Sequence, residues 1–273
     1  FIKEKVDIAI LEVGLGGRLD AVNIFDPIIS IITSVSLDHQ NYLGDTIEAI
    51  AYEKAGIFRS KKPAIINYKN PAPSLVAIAK KIGSRINTLN KDYKIFKTNS
   101  NLRYESDISI YNLLPLPKIK GNHQVLNLAG ALRCIDFIKD FFPISEHEVI
   151  KGINHAQIKG RFEVLNTKPF VVSDVAHNQE ASINLASNFS EKKLTGKTIA
   201  VFSIMADKDI QAVVEPFMDI VDEWHITKIQ SERSASVGQI EKDLLAKKNK
   251  INVHKFDSIS LAYQEALNKC QVD

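Results

Sequence analysis

Short β-branched apolar runs recur along this 273-residue chain, and most are followed by a segment that opens on a helix-capping residue. Val6 to Leu11, Ile28 to Thr33 and Ala64 to Asn67 form a first set. Phe170 to Asp174, Thr198 to Ile204, Trp224 to Ile229 and Val253 to Phe256 form a second. Runs this short and this continuously apolar suit strands of a parallel sheet covered on both faces. The segments between them carry helix signals. Asp45-Thr46-Ile47-Glu48 reads as a cap with Glu at the third position, and Ile47, Ile50, Ala51, Lys54 and Ala55 fall on one face before the stop at Gly56. Asn178, Asp207 and Ser236-x-x-Gln239 predict three further helix starts. Alternation at this spacing predicts an α/β fold with right-handed crossovers, its second half a small doubly wound sheet, with ligands beyond the carboxyl ends of the strands.

The middle of the chain breaks this rhythm. Lys91 to Leu116 is more polar, with short alternating segments and Pro115, and is expected to be an antiparallel excursion. Gln124 to Phe142 reads as a long helix with Val125, Leu128, Ala129, Leu132 and Ile135 on one side. Ser145-Glu146-His147-Glu148 caps a shorter helix ending near Ile153. The domain boundary is placed within Asn154 to Lys159, giving domains 1–158 and 159–273. The chain opens on Phe1 without an initiator Met, and Val6 to Leu11 reads as a buried central strand, so a fragment lacking upstream elements is expected.

Composition removes several function classes. With 45% hydrophobic and 25% charged residues the chain reads as an ordinary soluble globular protein. Its apolar runs fall short of the roughly 20 residues of a membrane span. A formal charge of +3 is too small to imply nucleic acid. Cys134 and Cys270 share no metal-ligand spacing and are expected to be reduced thiols of a cytoplasmic protein.

The chemistry concentrates in two stretches, Leu11 to Asp20 and Ser36 to Gly56. Gly14-Leu15-Gly16-Gly17-Arg18-Leu19 lacks the third glycine of a dinucleotide fingerprint and the acidic residue that should follow it. Glu12 instead stands at the tip of an expected buried strand, where a carboxylate needs a cation or a partner, Arg18 being the nearest alternative. His39 follows Asp38 just past the second strand. Alone it reads as an ordinary loop residue, but one strand–helix–strand unit would bring it beside Glu12. A carboxylate and an imidazole on an open site suit Mg²⁺ serving nucleotide phosphates, whereas zinc would want more nitrogen or sulfur ligands. Lys54 places an amine on a core-facing stripe. It either snorkels to the rim or, with a lowered pKa, attacks CO₂ to give a carbamate. In the second half Arg161 offers a planar fork to phosphate, and Asp174 precedes a helix start where anions meet free N–H groups.

From Glu12 through Gly56 the chain closely resembles the folylpolyglutamate synthase/dihydrofolate synthase family, a branch of the Mur ligases: Glu12, then His39 27 residues later, then Lys54 a further 15 on. The likeness continues in Gly121-Asn122-His123-Gln124-Val125-Leu126-Asn127, in Gly160-Arg161-Phe162-Glu163, in Ser173-Asp174-Val175-Ala176-His177-Asn178 and in Met205-Ala206-Asp207-Lys208-Asp209. The resemblance implies a Mur-ligase-like α/β architecture, with a partial P-loop-type central domain followed by a Rossmann-like C-terminal domain. It implies Glu12 and His39 as Mg²⁺ ligands, Lys54 as a carbamylated, N6-carboxylated lysine and Asp20 as a contact to pterin. It further implies Asn127, Arg161 and Asp174 as ATP contacts and His177 near the reacting groups. The activity implied is an ATP-dependent joining of L-glutamate to dihydropteroate or a reduced folate through an acyl phosphate, by a monomer. The family's phosphate-binding loop, its first folate loop and a Ser metal ligand are not found here and are expected upstream of Phe1, leaving these 273 residues incompetent alone. Rival readings are a peptidoglycan-type Mur ligase, a nicotinamide oxidoreductase and a non-catalytic ATP- or folate-binding module.

Overall fold

The computed structural model describes residues 3–119, 121–190, 196–247 and 250–270. The chain divides into two compact units, the first holding Phe1–Lys118 and His123–Ala156, the second Ile119–Asn122 and Gln157–Asp273.

In the first unit a 3-10 turn (Ala21–Ile24) leads to β1 (Ser30–Ile32), α1 (Gln40–Leu43), α2 (Ile47–Ala55), β2 (Pro63–Ile66), α3 (Pro73–Ile82) and β3 (Arg85–Thr88). The three strands form a parallel sheet in the order β1-β2-β3, with Ser30 opposite Ala64 and Ala64 opposite Ile86. All four β2 residues are buried, and the period of two sends them to different cores. Ala64 and Ile66 pack with Ala51, Ala55, Leu75 and Ala79 of α2 and α3, while Ile65 packs with Tyr93, Tyr104 and Leu132. That second core is closed by an antiparallel sheet of β4 (Tyr93–Lys97), β5 (Asn101–Ser106) and β6 (Ile110–Pro115), by α4 (Asn122–Ile138) and by α5 (Glu146–His155). Ser145 and Glu148 make a reciprocal capping box at the start of α5. Arg133 of α4 is 3% exposed, and its guanidinium donates to Asn87 Oδ1 of β3 at 3.0 and 2.6 Å. Asp136, one turn on, accepts from Tyr104 and Ser106 of β5 at 2.7 Å each. Arg133 Nη1 also lies 2.5 Å from Asp107 Oδ1 and 3.4 Å from Asp136 Oδ2, so the buried charges are paired, which offsets part of their desolvation cost.

The second unit starts with a hairpin of β7 (Glu163–Thr167) and β8 (Phe170–Ser173), followed by α6 (Gln179–Ser190), β9 (Ile199–Phe202), α7 (Ile210–Val214), β10 (Glu223–Ile226), α8 (Val237–Lys247), β11 (Asn252–Lys255) and α9 (Ile259–Cys270). Its parallel sheet has the order β11-β10-β9, and Ile204, Ile210, Val214, Trp224, Ile226, Ile240 and Leu244 form its core. Cys134 and Cys270 are free thiols. No helix among the described residues is long and apolar enough to cross a membrane.

Several local expectations are corrected. Val6 to Leu11 is irregular rather than a buried strand, with Val6, Ile8 and Ile10 exposed by 46%, 45% and 92%. A strand exists only where a neighbour supplies the ladder, and among the described residues β1 pairs with β2 alone. Phe170 to Ser173 does form a strand, but its partner is antiparallel β7. The cap of α2 is Thr46, not Asp45; Thr46 takes the extended conformation and its hydroxyl accepts from the Ala49 amide at 3.1 Å. Asp209 caps α7 in place of Asp207, which is bonded to Arg233 instead. The weakly patterned α3 and β3 rest on Pro73 in the first helical turn and on Gly83, whose φ of +78° ends the helix.

Candidate active site

The glycine-rich stretch lies flat against the end of α2. A Cβ on Gly17 would come within 2.9 Å of Ile57 Cγ2 and 3.0 Å of the Glu53 and Lys54 carbonyl oxygens. A Cβ on Gly56, at the end of α2, would stand 2.4 Å from Arg18 Cα. Only the absence of side chains lets these two backbones approach so closely. The contact is then fastened: the Arg18 amide donates to the Glu53 carbonyl at 2.8 Å, and the Arg18 guanidinium forks onto the Glu53 carboxylate at 2.9 to 3.2 Å. Arg18 is therefore held by Glu53, 35 positions away, and not by Glu12.

Asp20 organises the same loop. Its Oδ2 accepts the amides of Gly14 and Leu15, both at 3.0 Å, and its Oδ1 accepts the Val22 amide at 3.0 Å and so caps the 3-10 turn. These amide bonds, with Val22 first and Leu15 next, hold the Asp20 carboxyl below the usual carboxylate range. At least one lone pair remains for a ligand.

Lys54 lies on α2 directly beneath this loop; it is half-buried, and its side-chain amine has no hydrogen bond among the described residues. Desolvation lowers its pKa, and the nearby Asp38 carboxylate opposes the shift only in part. Asp38 also accepts the His39 amide at 2.8 Å, and its second oxygen lies 3.9 Å from His39 Nε2. His39 has the left-handed conformation, φ +54° and ψ +37°, at the start of α1 without capping it. For a residue with a Cβ this is an uncommon conformation that turns the imidazole out of the chain's ordinary course. Lys54, Asp38 and His39 thus share one neighbourhood beside the glycine loop. Glu12 lies in the irregular stretch just before that loop, exposed and without a hydrogen bond or ion pair among the described residues. Asp38 is the participant easiest to overlook in the sequence; its only signal is a carboxylate immediately ahead of His39.

Asn127 sits on the exposed side of α4, where its amide donates to Gln124 Oε1 at 3.2 Å and Gln124 contacts His123 at 3.0 Å.

In the second unit Asp174 holds two turns together. Its Oδ2 accepts the Phe162 amide at 2.6 Å and its Oδ1 accepts the Ala176 amide at 2.8 Å, while the Val175 amide donates to the Gly160 carbonyl at 2.9 Å. Gly160 and Phe162 are left-handed at φ +68° and +46°, and a Cβ on Gly160 would meet Val175 Cγ1 at 2.9 Å. Phe162 is buried against Phe189 of α6, ring centroids 5.4 Å apart. The residue between them, Arg161, is consequently turned outward and exposed. His177 contacts the Val175 carbonyl through Nδ1 at 3.0 Å, and Asn178 Oδ1 accepts the Ala181 amide at 2.9 Å, capping α6. The result is an exposed guanidinium and a part-exposed imidazole on a hydrogen-bonded pair of turns ahead of a helix N-terminus, a geometry suited to anionic groups.

Comparison with known proteins agrees with both halves of this description. A model of the Mur ligase middle domain matches residues 1–135, and a model of the Mur ligase glutamate ligase domain matches residues 160–273. The dihydrofolate synthase/folylpolyglutamate synthase of Escherichia coli (strain K12) is 33% identical over 267 residues, 98% of this chain and 60% of that protein. The protein of the same name from Buchnera aphidicola subsp. Acyrthosiphon pisum is 34% identical over 268 residues, 98% of this chain and 62% of its own length. Among solved structures, E. coli FolC in complex with DHPP and ADP superposes with a TM-score of 0.89 at 32% identity, covering 97% of this chain and 61% of that one. The bifunctional enzyme from Yersinia pestis complexed with AMPPNP and Mn ion gives 0.86 at 31% identity, covering 97% and 62%. The chain thus spans 60 to 62% of the length of the curated relatives it matches first. With two consecutive domain models accounting for nearly all of its residues, the chain belongs to the Mur ligase family, and the relatives it is similar to along its whole length are dihydrofolate synthase/folylpolyglutamate synthases.

Proposed function

We propose that the protein takes part in the ATP-dependent joining of L-glutamate to the carboxylate of dihydropteroate, of a reduced folate, or of both. One observation carries this reading more than any other: a glycine loop is clamped onto α2 directly over a half-buried lysine, with Asp38 and His39 beside it. The likeness to relatives whose structures hold ADP with DHPP, or AMPPNP with Mn ion, supports the choice of substrates.

The residue types suit a divalent cation, although among the described residues Glu12, Asp38 and His39 are not gathered into one ligand cluster. Glu12 offers an unengaged carboxylate, His39 a partly exposed imidazole, and Lys54 an amine whose burial favours the neutral form. As an ammonium Lys54 would repel a cation. As a neutral amine it can add CO₂, forming an N–C bond and releasing a proton, and the carbamate is then a carboxylate-like ligand. Bound Mg²⁺ would neutralise phosphate charge so that an anionic carboxylate can approach ATP. The substrate carboxylate attacks the γ-phosphate, giving an acyl phosphate and ADP; the glutamate amine then forms the amide and phosphate leaves. Arg161 presents its fork to the phosphates, Asn127 serves the adenine side and Asp174 shapes the loop that meets the nucleotide. His177 is proposed to serve the reacting groups, and Asp20 fixes the loop proposed to receive the pterin, with a lone pair remaining to offer it. The protein is proposed to act as a cytoplasmic monomer.

The test uses the complete reading frame that encodes this chain, incubated with ATP, Mg²⁺, L-glutamate and either acceptor, with glutamyl addition read by mass spectrometry. Lys54→Ala is expected to slow the reaction by about 100-fold or more, equivalent to about 3 kcal/mol of transition-state stabilisation. A ¹³C-bicarbonate NMR signal at Lys54 should disappear with it. Wild-type rates in Lys54→Ala would remove the carbamate, and failure to transfer glutamate to either acceptor would remove the function.

A further inference from the structure

We propose that the second unit carries a separate binding site for a zinc-type divalent ion, formed by Glu223, His225 and His254. Nothing in the ligase reading uses these residues. Glu223 and His225 are two positions apart on β10 and so project from the same face of the strand. The parallel register places His254 of β11 directly opposite His225. One ligand atom from each of the three lies within 4.8 Å of the others, and Glu223 Oε2 is 3.6 Å from Nε2 of both histidines. Two ligands held about 2.0–2.1 Å from a tetrahedral ion stand about 3.3–3.4 Å apart, so each carboxylate–imidazole pair needs to close by only a few tenths of an ångström, and the two imidazole nitrogens by at most about 1.5 Å.

The second observation is an orphaned atom. His225 is fully buried, and its Nδ1 lies 3.1 Å from the Ala262 carbonyl of α9. A carbonyl can only accept, so Nδ1 carries the hydrogen and neutral Nε2 is left with a lone pair. That Nε2 is buried and has no hydrogen-bond partner. Glu223 Oε2 cannot satisfy it, being an acceptor itself, and even with His225 protonated 3.6 Å is too long for a hydrogen bond. A cation satisfies the lone pair of Nε2, the second imidazole and the carboxylate together. The Ala262 carbonyl on the far nitrogen is also the kind of outer partner that orients a ligating histidine. Two imidazoles and one carboxylate select zinc over Mg²⁺, and His254, 45% exposed, leaves a solvent side for a water as fourth ligand.

The competitors are also visible. Lys197 donates to Glu223 Oε1 at 2.6 Å and Lys269 to Oε2 at 2.7 Å. Their side chains are 55% and 31% exposed, so each can swing into water when a divalent ion takes its place. Lys269 shares the oxygen that would face the metal and should therefore limit the affinity.

Chelator-stripped protein, without nucleotide, is titrated with Zn²⁺ against a chromophoric chelator, and separately with Co²⁺ for the ligand-field absorption of a four-coordinate ion. One Zn²⁺ per chain is expected at this site. His254→Ala should weaken it at least tenfold and abolish the Co²⁺ spectrum, and Lys269→Ala should tighten it. His225→Ala should also abolish it; where that buried variant does not fold, the exposed His254→Ala decides. His39→Ala, in the other unit, should leave it intact. Failure of wild-type protein to bind, or binding unchanged in His254→Ala, overturns the site and leaves the cluster as a charged brace. So does binding lost in His39→Ala but kept in His254→Ala.

Discussion

Gly56→Ala isolates the contact on which the candidate active site is built. An added Cβ would stand 2.4 Å from both Cα and Cβ of Arg18 and 2.9 Å from its Cγ, and the first of these is backbone that cannot rotate away. To reach ordinary contact, the loop must retreat by about 1 Å. That retreat stretches the 2.8 Å bond from the Arg18 amide to the Glu53 carbonyl and disturbs the forked Arg18–Glu53 pair. Overpacking of this kind costs about 1–3 kcal/mol, and a strained backbone hydrogen bond adds about 1 kcal/mol. Against this, Gly56 already has a helical conformation, φ −59°, and alanine there recovers up to about 1 kcal/mol of helix propensity. The net expectation is a loss of about 1–3 kcal/mol. Gly152 supplies the control: it lies inside α5, and a methyl added there would have no neighbouring atom within 4 Å, so Gly152→Ala should stabilise by about 0.5–1 kcal/mol. Urea unfolding followed by circular dichroism gives the two signs, and hydrogen exchange at the Arg18 amide should quicken in Gly56→Ala alone. An unshifted midpoint in Gly56→Ala, with Arg18 still protected, would refute the close approach.

Asp20→Ala removes the acceptor of three loop amides, so it should weaken pteroate or folate binding about tenfold while changing ATP affinity little, as read by calorimetry on the complete protein; equal losses for both ligands would contradict the assignment. Lys197, then Lys269, holds the Glu223 carboxyl down to about 2 in the folded state, against about 4.3 unfolded. The stabilisation is thus complete above the unfolded value and is lost as pH falls toward 2. Allowing for the exposed lysine stems, it amounts to about 2 kcal/mol. Glu223→Gln should flatten that part of the acid-unfolding curve, and a curve identical to wild type would contradict the pairing.

What the sequence conveys well is whatever the neighbours in the chain decide. The strands Ile199–Phe202, Glu223–Ile226 and Asn252–Lys255 start within a residue of their apolar runs, though the first two stop two and three residues short, and the Ser145 capping box is written in four consecutive letters. Partnership over distance is not written locally. Val6 to Leu11 has the composition of a strand, but a ladder needs a neighbour, and composition does not name one. Asp45 and Thr46 are both good caps, and only the path of the preceding loop decides which takes the extended conformation. Arg18 and Glu53 find each other across 35 residues because two glycines allow the approach, a fact invisible until the backbone is placed. The spacing of Glu12, His39 and Lys54 is legible as a pattern. That Asp38 sits between the latter two, and that Lys54 is desolvated, comes only from the fold.

Asp174 carries a lesson for anyone reading kinetics from this family. Both its oxygens already serve the amides of Phe162 and Ala176, so the residue acts as the rivet of a bracket whose projecting arm is Arg161. Replacing it would let the bracket sag, and where Arg161 meets a nucleotide phosphate, as proposed, nucleotide affinity would fall even with the carboxylate clear of the ligand. A defect at Asp174 and a defect at Arg161 should therefore look alike in a rate table, and the double replacement should be little worse than either alone.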